Sequence, residues 1–233
     1  MSVAANLNVV RARVEAAATA AGRDPATVRL IAVSKTHPAA AIREAYAEGQ
    51  RDFGENYVQE LLQKAEELRD LSDLRWHLIG HLQRNKARHV AALVSLLHTV
   101  DSAELGRELA KRLTGAAPGR KLEVLVEASI AGEAQKHGVA PENLTELLSA
   151  IEAEPALSLR GLMCVPPLTE DPADSRPFFD ALARLRDQHG GARRLPELSM
   201  GMTHDLEHAV AAGATLVRVG TAIFGGRPTK APL

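Results

Sequence analysis

The chain has 233 residues, and its 28 Lys and Arg side chains almost balance its 29 Asp and Glu side chains, for a formal net charge of −1. Because a dedicated nucleic-acid binder carries a basic excess or a basic stripe, this balance argues against that class of protein. Hydrophobic residues make up 45% of the chain, which supplies a core and argues against disorder. The single cysteine, Cys164, excludes an internal disulfide framework and a cysteine-rich zinc site, and it favours a reducing compartment.

The sequence carries no signal for a membrane. Its longest apolar run, residues 90–97, is far shorter than the roughly 20 residues that a spanning helix needs. Arg11, Arg13 and Glu15 interrupt the N-terminal segment before the apolar centre of a signal peptide could form. We therefore expect a cytoplasmic protein that does not bind membranes.

The chain begins with a predicted helix whose apolar residues recur at helical spacing from Leu7 to Ala21 and which Gly22 ends. A short, β-branched apolar run at residues 30–33 predicts a buried strand, and residues 39–48 predict a helix closed by Gly49. The alternation then continues, with further strands predicted to begin near residues 51, 76, 96, 122, 159, 197 and 216.

Amphipathic segments separate these strands. Their predicted buried faces are Tyr57, Leu61, Ala65 and Leu68; Leu105, Leu109 and Leu113; Leu144, Leu147, Leu148 and Ile151; and Phe178, Leu182 and Leu185. A further helix is predicted from residue 205 to residue 212. Several strands are continuous apolar runs, which is typical of a parallel sheet covered on both faces.

Eight strands spaced by about 27 residues fit eight βαβ units, each of which needs about 30 residues. We therefore predict an α/β fold, a (β/α)8 TIM barrel that occupies residues 1–233 as one domain, with an open doubly wound sheet as the alternative. Only about a dozen residues follow the last strand, too few for a normal eighth helix. The additional N-terminal helix is expected to cover that gap.

Lys35 is the first candidate for chemistry, because it emerges directly from the buried first strand. In a barrel, the C-terminal ends of the strands carry the active site. Desolvation at such a position favours the neutral amine that forms a Schiff base. The alternative is a lysine whose ammonium group simply reaches solvent at the end of a strand.

The ends of the second, third and sixth strands are less specific. Asn56 is predicted either to cap the following helix or to hydrogen-bond a ligand. His77 and His81 are four residues apart, but they fall on a strand and a turn rather than on one helix face, so no metal site is predicted from them. Cys164 is predicted to be a small buried apolar residue.

The segments after the seventh and eighth strands are rich in glycine and hydroxyl groups. Ser199–Thr203 and Gly220–Thr221 would let backbone N–H groups approach a phosphate, and barrels place phosphate sites in these two loops. The glycines could also serve only as turns. A reactive lysine after strand one, together with a phosphate cradle after strands seven and eight, suggests a phosphorylated aldehyde held at both ends.

Six segments of the sequence resemble the pyridoxal phosphate homeostasis protein family. The similarity runs from about residue 5 to residue 227 and is carried by IAVSKT at 31–36, FGENYVQE at 53–60, WHLIGHLQRNK at 76–86, RGLM at 160–163, LSMGM at 198–202 and VRVGTAIFG at 217–225. The family is a single barrel similar to the cofactor domain of alanine racemases.

The resemblance implies an internal aldimine between Lys35 and pyridoxal 5′-phosphate, and a guanidinium, Arg218, that faces the pyridine nitrogen. It also implies site residues around these two. Thr203, Gly220 and Thr221 would hold the phosphate, while Asn56, Met163, Ser199 and Met202 would line the pocket. Three positions depart from the family pattern: Thr203, commonly Ser; His204, commonly acidic; and His81, commonly Pro.

Three functional hypotheses follow. The first is a pyridoxal phosphate-binding protein that stores, buffers or delivers the cofactor without efficient turnover, with apo-enzymes as possible recipients and a monomer as the expected state. The second is a pyridoxal phosphate-dependent amino-acid racemase or a related enzyme. The third is an aldolase-like Schiff-base enzyme whose phosphate site serves a sugar phosphate.

Overall fold

The computed structural model describes residues 2–131 and 137–226. Eight parallel strands close into a barrel in chain order, with each strand hydrogen-bonded to the next and the eighth to the first. The strands are β1 (Arg29–Val33), β2 (Asp52–Glu55), β3 (Arg75–Leu78), β4 (Leu96–Val100), β5 (Leu122–Glu127), β6 (Leu157–Met163), β7 (Glu197–Ser199) and β8 (Leu216–Val219). The predicted TIM barrel is confirmed, and the open sheet is excluded.

Helices surround the barrel. Those of the described residues are α1 (Val3–Ala20), α2 (Ala39–Ala47), α3 (Val58–Glu67), α4 (Ala87–Val90), α5 (Ala103–Ala116), α6 (Leu144–Glu152), α7 (Arg176–Gln188), α8 (Gly191–Arg194), α9 (Leu206–Ala211) and α10 (Thr221–Phe224). Within this part of the chain, no helix combines the length and hydropathy required to cross a bilayer.

The core has two layers. Inside the barrel, one apolar cluster is formed by Ile31, Leu96, Leu125, Met163 and Leu216. A much larger cluster fills the space between the strands and the helices, because each strand also presents apolar side chains outward. Burial on both faces explains why the strands read as continuous apolar runs.

Most predicted helix faces are confirmed, and two details are wrong. The predicted faces of α5 and α6 are buried as expected. In α7, however, the buried aromatic residue is Phe179 rather than Phe178, while Leu182 is buried and Leu185 packs against the core as predicted. Tyr57 is 54% exposed, because it stands at the N-cap of α3 and not within the helix.

Helix α1 packs against α9, α10 and α2, which fills the gap beside the short segment after β8. The buried face of α1 is the predicted one, from Leu7 to Ala18. The chain then turns at Gly22, whose φ of 67° suits glycine. The predicted role of the additional helix is therefore confirmed.

A close approach between β6 and β7 makes Gly161 irreplaceable. The register of β5 on β6 shifts so that Val124 pairs with Leu159 but Leu125 pairs with Gly161. A Cβ added at Gly161 would lie 1.8 Å from the carbonyl oxygen of Glu197. Since that neighbour is backbone of the adjacent strand, it cannot move aside without breaking the barrel.

We expect Gly161→Ala to lower the free energy of unfolding by more than about 3 kcal/mol, because the clash exceeds ordinary overpacking of a core. Urea denaturation measures the change as a shift of the unfolding midpoint. Gly115→Ala is the matched control, since Gly115 lies in α5 with nothing within 4 Å of the added methyl. The control should be stabilised by up to about 1 kcal/mol. Equal stability of the two variants would contradict the argument.

Candidate functional site

The candidate site lies at the C-terminal ends of β1 and β8, which are neighbours at the closure of the barrel. A cavity of ≈ 160 Å³ is lined there by Val33, Lys35, Thr36, His37, Gly220, Thr221 and Gly225. The structure thus brings the predicted lysine together with the predicted Gly220–Thr221 segment. The two lie side by side on adjacent strands.

Lys35 sits in a strained turn. Thr36, the next residue, has φ of 67°, the only non-glycine residue with positive φ among the described residues. A β-branched residue rarely adopts this conformation, which costs of order 1–3 kcal/mol. The turn is closed by His37 N–H, which donates to Ser34 O at 3.0 Å, and Glu60 Oε2 accepts from Thr36 N at 2.8 Å. The Lys35 backbone is therefore held at a defined position by its neighbours.

Lys64 on α3 carries a buried ammonium group that holds this turn in place through its hydrogen bonds. Its Nζ donates to Ser34 O at 2.8 Å and to Glu55 Oε1 at 2.7 Å, and it lies 3.2 Å from Glu60 Oε2. Ser34 Oγ also donates to Glu55 Oε1 at 2.6 Å. Burial raises the pKa of Glu55, against the opposing effect of Lys64. One cation thus joins the end of β1, the end of β2 and the first turn of α3.

Arg218 on β8 places a second cation inside the barrel, where it is 5% exposed. Its guanidinium donates to Ser199 Oγ at 2.6 Å and to the carbonyl oxygen of Cys164 at 3.0 Å. Burial lowers the pKa of Arg218, but arginine remains charged in proteins. Burial also raises the pKa of the Cys164 thiol to about 12, which fits the predicted inert, buried cysteine.

A chain of hydrogen bonds continues from Arg218 through the barrel. Ser199 Oγ lies 2.8 Å from His98 Nδ1, and His98 Nε2 lies 3.0 Å from His77 Nδ1. His77 Nε2 in turn lies 2.9 Å from Asp52 Oδ1. The chain therefore crosses the interior from β8 and β7 to β4, β3 and β2.

The two ends of this chain fix its direction. Asp52 accepts from Arg75 Nε at 2.9 Å and from its second guanidinium nitrogen at 2.6 Å. Burial alone would raise the pKa of Asp52, but the hydrogen bonds from Arg75 and His77 hold it well below its usual range. An ionised Asp52 accepts from His77 Nε2–H, so His77 Nδ1 accepts from His98 Nε2–H. His98 Nδ1 then accepts from the hydroxyl of Ser199.

This arrangement requires both histidines to be neutral. Burial lowers the pKa of His77, although Asp52 opposes the shift. The pKa of His98 is well below 6.5, because it is buried and lies near His77, Arg218 and Arg29. His77 and His81 are not brought together, since His77 belongs to this chain and His81 lies exposed at the rim of the barrel.

The remaining predicted residues lie around the same end of the barrel at different depths. Ser199 and Met163 are buried, Ser199 in the hydrogen-bond chain and Met163 in the inner apolar cluster. Asn56, Met202 and Thr203 are partly buried in loops, and Asn56 is not the N-cap of α3. The structure brings Lys35, Gly220 and Thr221 into one cavity, and the other six predicted residues are not among the residues that line it.

Helix α1 fixes both segments that were predicted to bind phosphate. Arg13 donates to Thr203 O at 3.0 Å and forms an ion pair with Glu207 on α9. Asn6 Nδ2 donates to Ile223 O in α10 at 3.0 Å. His204 is exposed and does not line the cavity, and its Nε2 lies 3.2 Å from the carbonyl oxygen of Glu170.

Glu127 is a titratable group of the site region that sequence reasoning missed. It ends β5, is 9% exposed, and its Oε2 has no hydrogen-bond partner among the described residues. Burial and the charge of Asp101 raise its pKa to about 7, while Arg218 acts in the opposite direction. The available signal was its position, because an acidic residue directly follows the apolar residues of a buried strand.

The chain is similar to known proteins over almost its whole length. Residues 5–228 match the family described as "Alanine racemase, N-terminal domain". The pyridoxal phosphate homeostasis protein of Pseudomonas aeruginosa is 48% identical over 232 residues, which cover 99% of this chain and 98% of that protein. The protein of the same name from Aquifex aeolicus is 44% identical, covering 97% of this chain and 99% of the relative. The chain belongs to the pyridoxal phosphate homeostasis protein family.

Solved structures agree with this family membership. PipY of Synechococcus elongatus PCC7942, solved with PLP bound, is 41% identical and superposes with a TM-score of 0.81, covering 96% of this chain and all of PipY, 100%. An alanine racemase from Corynebacterium glutamicum is 16% identical, with a TM-score of 0.66, covering 97% of this chain and 63% of the racemase. At that identity the racemase shows only that the barrel fold is shared.

The buried, neutral His98 predicts a specific pH dependence of stability. Its pKa is depressed in the folded state, so between that pKa and the ordinary value of 6.5 the unfolded chain binds a proton that the folded chain does not. The stabilisation is complete above 6.5 and is lost as the pH falls, by up to about 1.4 kcal/mol per pH unit. Glu55 and Glu127, whose pKa values are raised, have the opposite effect on stability as the pH falls.

The contribution of His98 is therefore measured by comparing the pH dependence of unfolding free energy between variants. We expect His98→Gln to reduce the slope of unfolding free energy against pH below 6.5, relative to the unmodified protein, in urea titrations at several pH values. His89→Gln, at an exposed histidine of α4, is the matched control for the loss of a histidine. Identical slopes for the protein and His98→Gln would show that His98 binds its proton equally in the folded and unfolded chains, which would contradict the prediction.

Proposed function

We propose that this protein binds pyridoxal 5′-phosphate at the mouth of its barrel and serves the intracellular homeostasis of that cofactor by storing, buffering or delivering it. The observation that carries the proposal is the cavity that Lys35 shares with Gly220 and Thr221, with the buried cation Arg218 two residues before Gly220 on the same strand. The PLP-bound structure of PipY, 41% identical over nearly the whole chain, supports the choice of cofactor.

Lys35 is the residue that we assign to the aldehyde of the cofactor. Its amine would condense with the aldehyde carbon and release one water, which leaves a Schiff base. Lys64, a second lysine of the region, is buried, and its Nζ contacts Ser34, Glu55 and Glu60. Lys35 lines the cavity, and Lys64 does not.

The donor set of the site fits the rest of the cofactor. Thr221 and Gly220, with Thr203 in the neighbouring loop, are assigned to the phosphate, which hydroxyl and backbone donors bind well. Arg218 is assigned to the pyridine nitrogen. We place Asn56, Met163, Ser199 and Met202 around the ring; Ser199 acts there by holding Arg218 through its 2.6 Å hydrogen bond.

The charge at Arg218 favours holding the cofactor over turning over substrates. Bound pyridoxal phosphate supplies an electron-withdrawing ring, and a carboxylate beside the ring nitrogen strengthens that effect by keeping the nitrogen protonated. Here the nitrogen would face a guanidinium, which donates a hydrogen bond but does not give up its proton. Of the hydrogen-bonded chain through Ser199 and His98, the carboxylate is Asp52, at the far end from Arg218.

We further propose that the protein acts as a monomer in the cytoplasm and that enzymes lacking their cofactor receive it. The single cysteine, buried and with a raised thiol pKa, is compatible with a reducing compartment.

Lys35→Ala should abolish the covalent adduct, because it removes the amine that lines the cavity. Mass spectrometry after reduction with borohydride measures the adduct on the intact chain. Lys111→Ala is the control, since Lys111 is exposed on α5 and does not line the cavity. A normal yield of adduct in Lys35→Ala would refute the assignment; the lysines to test next would be Lys86 and Lys136, the latter outside the described residues.

The protein loaded with pyridoxal phosphate should show negligible turnover of amino acids. Incubation with L- and D-alanine in deuterated water measures exchange of the Cα hydrogen by NMR. Exchange at about 1 s⁻¹ or faster, the low end of ordinary turnover, would replace the storage proposal with the racemase alternative. Lys35→Ala provides the blank for exchange that the site does not cause.

A further inference from the structure

Three potential metal ligands meet on the other side of the barrel mouth. They are His81 after β3, Asp101 after β4 and His137 after β5, and one ligand atom of each lies within 4.8 Å of the others. His81 Nδ1 is 3.2 Å from Asp101 Oδ2. The imidazole rings of His81 and His137 are stacked, with centroids 3.6 Å apart and planes 7° from parallel. One of these two exposed rings must therefore turn before the in-plane nitrogens of both can bind the same ion.

The backbone around each ligand is held in place by contacts of its own. Thr99 Oγ1 donates to Gly80 O at 2.8 Å, which fixes the residue before His81. On the other side, Val139 N–H donates to Glu127 O at 2.8 Å and ties the segment after His137 to the end of β5. Two of the three ligands therefore project from loops anchored to the barrel.

The carboxylate is also oriented. Asp101 Oδ1 accepts from Ser102 Oγ at 3.1 Å, which leaves Oδ2 directed at His81. Partners of this kind, which hold a ligand without touching the metal, are usual around metal sites and sustain their affinity.

We propose that His81, Asp101 and His137 form a binding site for a divalent transition-metal ion such as Zn²⁺. Two imidazoles and one carboxylate suit zinc, and they disfavour Mg²⁺ and Ca²⁺, which take oxygen ligands. At Zn–N and Zn–O bond lengths of about 2.0–2.2 Å, two ligand atoms of a tetrahedral site are about 3.3–3.5 Å apart. The 3.2 Å separation of His81 Nδ1 and Asp101 Oδ2 is close to that value.

Three protein ligands leave one coordination position for water. Glu127 stands beside Asp101, because Val100 and Val126, the residues before them, are paired in the sheet. Its buried Oε2 has no hydrogen-bond partner among residues 2–131 and 137–226, and a metal-bound water would supply a donor there. The site lies on β3, β4 and β5, whereas the cavity of Lys35 lies on β1 and β8, so the two are separate.

The test is a titration of the full-length protein, freed of metal by dialysis against a chelator, with ZnCl₂ in a calorimeter. We expect one Zn²⁺ per chain, and a loss of affinity of at least about tenfold in both His81→Ala and His137→Ala. His89→Ala is the matched control, because His89 is an exposed histidine outside the cluster. Circular dichroism of each variant checks that it is folded.

Substitution of Co²⁺ for Zn²⁺ adds a second readout, the visible absorption of a tetrahedral cobalt site, which should disappear in His81→Ala. Three results would overturn the proposal: no binding at millimolar Zn²⁺, the same affinity in His81→Ala and His137→Ala as in the unmodified protein, or an equal loss in His89→Ala. Because none of the three ligands lines the cavity of Lys35, the result does not depend on whether pyridoxal phosphate binds.

Discussion

A buried positive charge is the constraint on which the interior of this barrel depends. Arg218 carries its guanidinium where apolar side chains would otherwise fill the barrel, and a buried charge without partners is costly. The structure meets this cost with direct hydrogen bonds, and the charges of Glu127 and Asp205 also favour the charged form of Arg218. Ser199 and the carbonyl of Cys164 accept directly from Arg218, and the polar chain ends at Asp52, on the opposite side of the barrel. Five strands thereby contribute to the position of one side chain.

The turn at Lys35 also depends on a buried cation that is held by hydrogen bonds. Lys64 is a second buried cation, and its hydrogen bonds to Ser34 and Glu55 hold the ends of two strands together. The packing that satisfies Lys64 also offsets the strain at Thr36. In both places, the residue proposed to contact the cofactor is positioned by a residue deeper in the fold. A cavity formed in this way is preorganised, and so less binding energy is spent on ordering it.

The sequence was most informative where a pattern is local. Eight strands, the additional N-terminal helix and the lysine after β1 follow from apolar periodicity and strand ends, and the structure confirms them. The hydrogen-bond chain could not be predicted in this way, because His77 and His98 look like any polar residues on two strands until the barrel closes. Phe179 was missed for a different reason: two adjacent phenylalanines leave the phase of a helix undetermined by one residue. The short helix α4 has too few residues to show a period.

The pairing of β1 with β8 has a consequence for the order in which the molecule can assemble. Residues 29–32 find their partners at residues 216–219, so the first strand exposes an unsatisfied edge until nearly all of the chain has left the ribosome. Helix α1 is in a similar position, since two of the helices that it packs against, α9 and α10, follow β7 in the chain. Pairing of segments so distant in sequence costs loop-closure entropy before the contacts between them form, and this slows folding. The cavity of Lys35, which lies on β1 and β8, can therefore form only after β8 has been made.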